Sequence, residues 1–273
     1  MPVVHTEYIY RNDGTLAEDT VWEKDIKKHF TGFSQNIRQI WVYGFLEIFN
    51  NAIEHSRGDT IRVDIRENEA FTDILIADNG IGIFKNIKTK LNLVDEKDAL
   101  LELAKGKRTT DITQHSGQGI FFVSKVFDNF FIVSDGITYS IEHDKVKQVE
   151  TADKMFSTLV YMCLENNCGR KLKDVFDAFS TEIPGDFDKT IVPVRLANST
   201  DLVSRSHARR VLAGLELFKE VILDFKDVEY IGQAFADEIF RVFVNLNPGT
   251  TITAQNTNDD IQYMINRAIN TVL

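Results

Sequence analysis

The sequence predicts an α+β fold in two parts: a two-layer α/β sandwich, then a smaller α/β domain. Three observations carry that expectation. A chain of 273 residues, 43% of them hydrophobic, is long enough for two cores of ordinary size. Up to about residue 165, helix-period stretches give way to runs of strand-period stretches, the pattern of helices laid on one face of a mostly antiparallel sheet. After about residue 170 strands and helices alternate, as in a small sheet covered by helices.

"EDTVWEKDIKKHF" places Trp22, Ile26 and His29 or Phe30 on one face of a short helix. "NIRQIWVYGFLEIFNNAIEHS" places Ile37, Ile40, Trp41, Phe45, Ile48 and Phe49 on the packed side of a longer one. "RGD" ends it, with Gly58 suited to the C-terminal cap. "TIRVDIRE" and "FTDILIAD" alternate at strand period around a hairpin turn, "NEA", and the second runs into the tight "DNGIGI". Residues 84–116 read as two short helical stretches and a polar run, "KGKRTTDITQHSGQG". "GIFFVSKVF" reads as a helix beginning at glycine, followed by the strands "FFIVSD", "ITYSIEH" and "TLVYMCLE". In the second part "TIVPVRL", "EVILDF" and "TTITAQ" are strands. "SRSHARRVLAGLELF", "GQAFADEIFRVFVNL" and "DDIQYMINRAI" are helices.

No apolar run approaches the roughly 20 residues needed to cross a bilayer. The opening "MPVVHTEYIYRNDG" lacks the basic start and apolar centre of a signal peptide, so the cytoplasm is the expected compartment. Cys163 and Cys168 fit there as ordinary thiols, since a metal role calls for more Cys or His nearby. A formal net charge of -10 opposes general attraction to nucleic-acid phosphates or anionic lipid. Neither a membrane nor direct nucleic-acid binding is expected.

The chemistry begins at "FLEIFNNAIEHS", residues 45–56. Asn is a poor helix former, because its side chain competes for backbone hydrogen bonds, yet two stand in mid-helix. Glu47 and Asn51 are four apart and share a face, which Glu54 extends. A carboxylate there can polarise a water or hydroxyl, and an amide oxygen one turn on can ligate Mg²⁺. The same pair also makes an ordinary solvated face. In "DNGIGI", Asp78 at a strand end can accept from an exocyclic amine, while Gly80 and Gly82 let a flat base approach; a plain turn uses the same residues. "HSGQGIFF" sets Gly117 and Gly119 at a helix start, where free N–H groups and the dipole favour phosphate.

In order and spacing these three motifs resemble the ATP-binding fold of gyrase, Hsp90, histidine kinases and MutL, the GHKL superfamily. The resemblance covers residues from about 20 to 165, and residues 45–56 match its N-box. It implies a two-layer GHKL (Bergerat) sandwich over residues 1–168, with Asn51 as the Mg²⁺ ligand, Asp78 on the adenine amine, and Gly80 and Gly82 shaping the base pocket. It implies that Gly117, Gln118 and Gly119 cradle phosphate. The segment of about 84–116 becomes an ATP lid, with Lys105, Lys107, Arg108 and Thr109 as candidate γ-phosphate contacts. Thr158 falls where the family has a Gly-Thr near the adenine, although Ser157 replaces the glycine. Histidine kinases carry Asn where this chain has Glu47. Glu there is similar to the hydrolysing members and to anti-sigma-factor serine kinases, the type closest to this sequence, and implies a catalytic role. His29 lacks the adjacent acid of a phosphoacceptor, while His55 and His115 flank the implied site.

Residues 169–273 resemble the STAS-like DUF4325 module through "EVILDFKDVEYIGQAFADEIFRVF". STAS antagonists of anti-sigma factors carry a phosphorylated serine at the strand-to-helix turn. Here that turn reads Ile231, Gly232, Gln233, Ala234, with no hydroxyl. Asp237 and Glu238 follow, either as a recognition feature or as charges offsetting the helix dipole. The expected function is that of an ATP- and Mg²⁺-binding regulator. Its lid state would control an unidentified protein partner through the STAS-like domain, with slow hydrolysis or Ser/Thr phosphotransfer. The alternatives are a non-catalytic ATP sensor, or a transcriptional regulator working through a DNA-binding partner, since only about 20 residues precede the first helix. A homodimer fits the superfamily's habit.

Overall fold

The computed structural model describes residues 3–107, 118–140, 147–148, 155–197 and 202–270. The fold is α+β, and the chain forms two compact units. Unit 1 comprises residues 1–96 and 118–175; unit 2 comprises 97–117 and 176–273. The division differs from a single boundary at 168/169. Residues 97–117, expected within a lid of the first domain, belong to the second unit, and 169–175 belong to the first.

In chain order the first elements are β1 (Val4–Arg11), α1 (Glu18–Val21, continuing as a wider π turn to Ile26 and a tighter 3-10 turn to Phe30), α2 (Gln35–His55), β2 (Thr60–Glu67), β3 (Phe71–Asp78) and α3 (Ile83–Leu91). There follow α4 (Asp98–Lys105), which lies in unit 2, and α5 (Gly119–Val126). Then come β4 (Asn129–Ser134), β5 (Ile137–Ser140), β6 (Lys147–Gln148), β7 (Thr158–Glu165) and α6 (Leu172–Asp177). The strands of unit 1 form one sheet in the order β1-β2-β3-β7-β4-β5-β6, and every neighbouring pair is antiparallel. Ile61, Val63 and Ile65 of β2 are buried while the residues between them are not, the period-2 pattern of a sheet with one covered face.

The helical stripe read from α2, Ala52 included, is buried as expected, and Gly44 is buried with it. Its aromatic residues continue a stack from Trp22 to Phe30 (5.7 Å), Trp41 (5.2 Å) and Phe127 (4.7 Å). A Cβ on Gly44 would run into the Phe127 ring, so the missing side chain is what lets that ring lie on α2. β1 was not legible in the sequence. It is an edge strand that buries no residue fully, and His5, Glu7, Ile9 and Arg11 are all exposed, so its apolar alternation is weak.

Unit 2 continues with β8 (Lys189–Pro193), α7 (Arg205–Leu212), β9 (Glu220–Asp224), α8 (Gln233–Asp237, continuing through Phe243), α9 (Val244–Leu246), β10 (Thr251–Gln255) and α10 (Asp259–Ile269). Its three strands pair in parallel in the order β10-β9-β8, with helices making the crossovers. Val192, Val221, Leu223, Phe235, Ile239, Ile261 and Ile265 fill the core. α7 is shorter than its apolar pattern suggests, because Gly214 turns left-handed (φ 82°) and ends the run. "TIVPVRL" similarly stops being a strand at Pro193 and tightens into a turn over Val194–Ala197. No helix among the described residues is long and apolar enough to cross a membrane.

Candidate functional site

The candidate site of unit 1 is built where β3 ends. Register puts Asp78 opposite Thr158 and Thr158 opposite Ser134, so three adjacent strands finish in polar side chains at one level. Asp78 is buried. Its carboxylate accepts from the Gly80 N–H (2.9 Å) and from the Thr158 hydroxyl, while Thr158 Oγ1 accepts from the Ile83 N–H (3.2 Å). Ser134 donates to the Ser157 carbonyl (2.8 Å), and the Ser157 N–H donates to the Asp78 carbonyl (2.7 Å). Burial pushes the Asp78 carboxyl up to about 6, against the lowering pull of the Gly80 and Thr158 donors. No cation pairs with it among the described residues.

The loop after Asp78 is clamped to the end of α2. The Ile81 N–H donates to the Ser56 carbonyl (2.8 Å), and Asn86 Nδ2 donates to the His55 carbonyl (3.2 Å). Asn79 Oδ1 accepts from the N–H groups of Asp59 (3.0 Å) and Thr60 (3.1 Å). Gly80 lies so close to Ser56 that a Cβ would overlap its carbonyl, and a Cβ on Gly82 would overlap the carboxylate of Asp135. Gly82 also has φ 84°, a backbone that side chains resist.

Further back along α2, the Glu47 carboxylate lies where a Cβ of Gly119 would be. Gly119 is the first residue of α5, and its N-cap Gln118 supplies no side-chain hydrogen bond, so the Glu47 carboxylate faces the helix start. Tyr43, one turn before Glu47, has its hydroxyl pushed far up by burial and by the Glu47 charge. Asn51 is partly exposed and its amide makes no side-chain hydrogen bond among the described residues. Glu54 is exposed. α2 therefore carries both ends of the site. Glu47 touches the start of α5, and nine residues on, about 13 Å along the axis, Ser56 holds the Asp78 loop.

Expected at a γ-phosphate, Lys105 and Lys107 lie in unit 2, and their ammonium groups are engaged there by backbone carbonyls. The helix over "DALLELAK" gives the physical reason: Ala99, Leu100, Leu101 and Ala104 are buried, and Lys105 goes in with them, paired with buried Glu102. Arg108, Thr109, His115 and Gly117 lie outside the described residues. His29 has both ring nitrogens engaged, Nδ1 with Glu67 Oε2 (2.7 Å) and Nε2 with the Tyr8 hydroxyl (3.0 Å). Sequence reasoning missed Tyr43, Ser134, Asp135 and Asn86. Only Asp135 carried a signal, as the first half of an Asp-Gly hairpin turn with φ 49°.

In unit 2, Gly232 opens α8. A Cβ there would strike the backbone of Val203, and the Gly232 N–H donates to the Leu202 carbonyl (2.9 Å). Asp237 and Glu238 are paired: Arg241 binds both oxygens of Asp237, and Arg209 Nε reaches Glu238 Oε1 at 2.7 Å. The Arg241 hydrogen bond holds the Asp237 carboxyl below its usual range. Both residues are thus explained by neighbouring arginines, a reading the sequence left out.

Comparison with known proteins bears on unit 2. Residues 207–262 match the family model described as a STAS-like domain of unknown function (DUF4325). The chain therefore carries a STAS-like domain in its C-terminal part, running from α7 into α10. A search of curated proteins returned no match.

Proposed function

We propose that unit 1 is an ATP-binding domain of the GHKL type, that Mg²⁺ accompanies the nucleotide, and that nucleotide state governs what the STAS-like unit meets. Asp78 carries the reading. A buried carboxylate with no paired cation, held by one N–H and one hydroxyl beside two bare glycines, is costly to keep unless a ligand donates to it. In this reading Asp78 accepts from the adenine amine and Thr158 orients Asp78, while Gly80 and Gly82 let the loop beside Asp78 pack closely on Ser56 and Asp135. The N–H groups at the start of α5, at Gln118 and Gly119, face the phosphates.

The residues present fit Mg²⁺ in one specific way. Among the described residues no three Asp, Glu, His or Cys side chains gather into a metal site, so the protein would supply few ligands. Mg²⁺ bound with nucleotide usually takes one or two protein oxygens and fills its octahedron with phosphates and waters. The Asn51 amide oxygen suits that role. The ion when bound would neutralise phosphate charge. Glu47 would accept the proton of a water or of a partner's Ser/Thr hydroxyl as that oxygen attacks the γ-phosphorus and ADP leaves. Tyr43 would hold Glu47 from one turn below.

A second reading is supported by the Glu47 contact. A carboxylate packed against the first residue of α5 would be held there, and the chain would then bind ATP and sense it without turnover. Incubation with γ-labelled ATP and Mg²⁺, alongside Glu47→Ala, separates the two. Label released as phosphate or carried onto protein by the native chain alone supports catalysis by Glu47. Bound ATP that stays intact in both supports the sensor. ATP that does not bind at all overturns the proposal.

A further inference from the structure

β1 stands at one end of the unit 1 sheet, so β2 covers one of its edges and no strand among the described residues covers the other. Every residue from Val4 to Arg11 pairs with β2 in one unbroken register. The register continues to Asn12, whose N–H donates to the Asp59 carbonyl (2.8 Å). Along an antiparallel ladder, residues alternate between turning their backbone groups to the partner strand and away from it. Thr6, Tyr8, Tyr10 and Asn12 therefore bond to β2, while His5, Glu7, Ile9 and Arg11 turn their N–H and C=O groups out of the sheet edge. The side chains of those same four residues are exposed, Ile9 at 62%. Edge strands are commonly guarded against pairing by proline, lysine or a bulge, and β1 has none of these.

We propose that β1 is a self-pairing interface, along which two copies of the chain join antiparallel about Ile9. A two-fold axis sets each residue pair against itself twice. A centre between residues would set outward backbone groups against inward ones. Centring on Glu7 sets that carboxylate against itself, centring on Tyr8 sets His5 against Arg11, and centring on Tyr10 sets Glu7 against Asp13. Centring on Ile9 sets Glu7 of each copy against Arg11 of the other, with the two Ile9 side chains together between them. Glu7 lacks such a partner within its own chain. Across the ladder it faces Asp64, which pairs with His5 and Arg62, and neither Glu7 nor Arg11 forms an ion pair among the described residues. On the other face Tyr8 of one copy meets Tyr10 of the other, lengthening a row whose rings already stack at 6.1 Å. None of these contacts depends on nucleotide. One short strand covers less than the roughly 1,200 Å² of a stable interface, so the pairing is expected at micromolar concentrations.

Sedimentation of the full chain over a range of about 1–200 μM, with melting curves on the same samples, tests this. The native chain is expected to pass from monomer to dimer across that range; a chain that stays monomeric overturns the proposal. Ile9→Lys is expected to weaken the dimer at least about tenfold with the melt unchanged, and a dimer it leaves intact overturns the assignment to β1. Glu7→Arg and Arg11→Glu are each expected to weaken self-association roughly tenfold, because each sets like charges opposite one another twice. Mixed together, the two variants are expected to dimerise as the native chain does, since every facing pair is then Glu with Arg. Full self-association of either variant alone, or a mixture no better than its components, overturns the register.

Discussion

Asp78 in unit 1 and the Asp237–Glu238 pair in unit 2 are held in opposite ways. Asp237 and Glu238 in unit 2 sit among Arg205, Arg209 and Arg241, and the Arg241 pairing holds Asp237 below its usual range. Asp78 in unit 1 has neutral donors only, and burial pushes it up to about 6. Paired charges are explained by the fold that pairs them. A carboxylate left without a cation at a strand end costs the fold stability, and the cost makes sense when a ligand supplies the missing donors. The contrast is what makes Asp78 the proposed ligand acceptor and leaves Asp237 and Glu238 to their arginines.

Removing the Asp78 charge is the strongest test of that contrast. Asp78→Asn is expected to weaken ATP binding roughly a hundredfold, as loss of a charged acceptor does, measured by calorimetry. The same change is expected to raise stability at pH 8 by up to about 3 kcal/mol, the equivalent of moving a carboxyl from its ordinary 3.8 to about 6. The sign follows from the raised value. The folded chain binds the proton before the unfolded one, so the native protein gains stability as pH falls from about 6 to about 4, and Asp78→Asn shows no gain from this group. Denaturant melts across that window read the difference. Equal slopes would remove the contrast.

Gly232→Ser in unit 2 comes next. It places a side chain into the Val203 backbone and is expected to cost about 1–3 kcal/mol, seen in the unfolding of unit 2, with ATP binding unchanged. A neutral Gly232→Ser would mean that this turn can accept the hydroxyl it lacks. Asn51→Ala should weaken Mg²⁺-dependent ATP binding about tenfold and leave the melting temperature where it was, because its amide is engaged by nothing else among the described residues. Arg241→Met is the smallest, expected to move the melt by about 1–2 °C for a single-turn surface pair.

What was legible in the sequence is what local physics decides. The stripe of α2, the hairpin of β2 and β3, and the backbone freedom at Gly82 follow from neighbours in sequence, whereas Gly80 and Gly119 are demanded by Ser56 and Glu47 from across the fold. Nor does the fate of Lys105 follow from its neighbours in sequence. Its acceptors are carbonyls 105 and 108 residues away, and a lysine at the end of a polar loop reads the same whether it meets phosphate or a buried carbonyl. β1 hid for the opposite reason, since an edge strand needs little apolar alternation. Ser134 became visible only when register brought β4 alongside β7, and the pairing of Asp237 and Glu238 only when α7 brought Arg205 and Arg209 to them.

Calorimetric titration of Mg²⁺-ATP into the native chain and Asp78→Asn, from pH 5 to pH 8, tests the central claim most directly. The account predicts native binding that strengthens as pH rises through about 6, and Asp78→Asn binding that is roughly a hundredfold weaker at pH 8 and does not change across that range. Equal binding by the two proteins, or no heat from the native chain at pH 8, would contradict it.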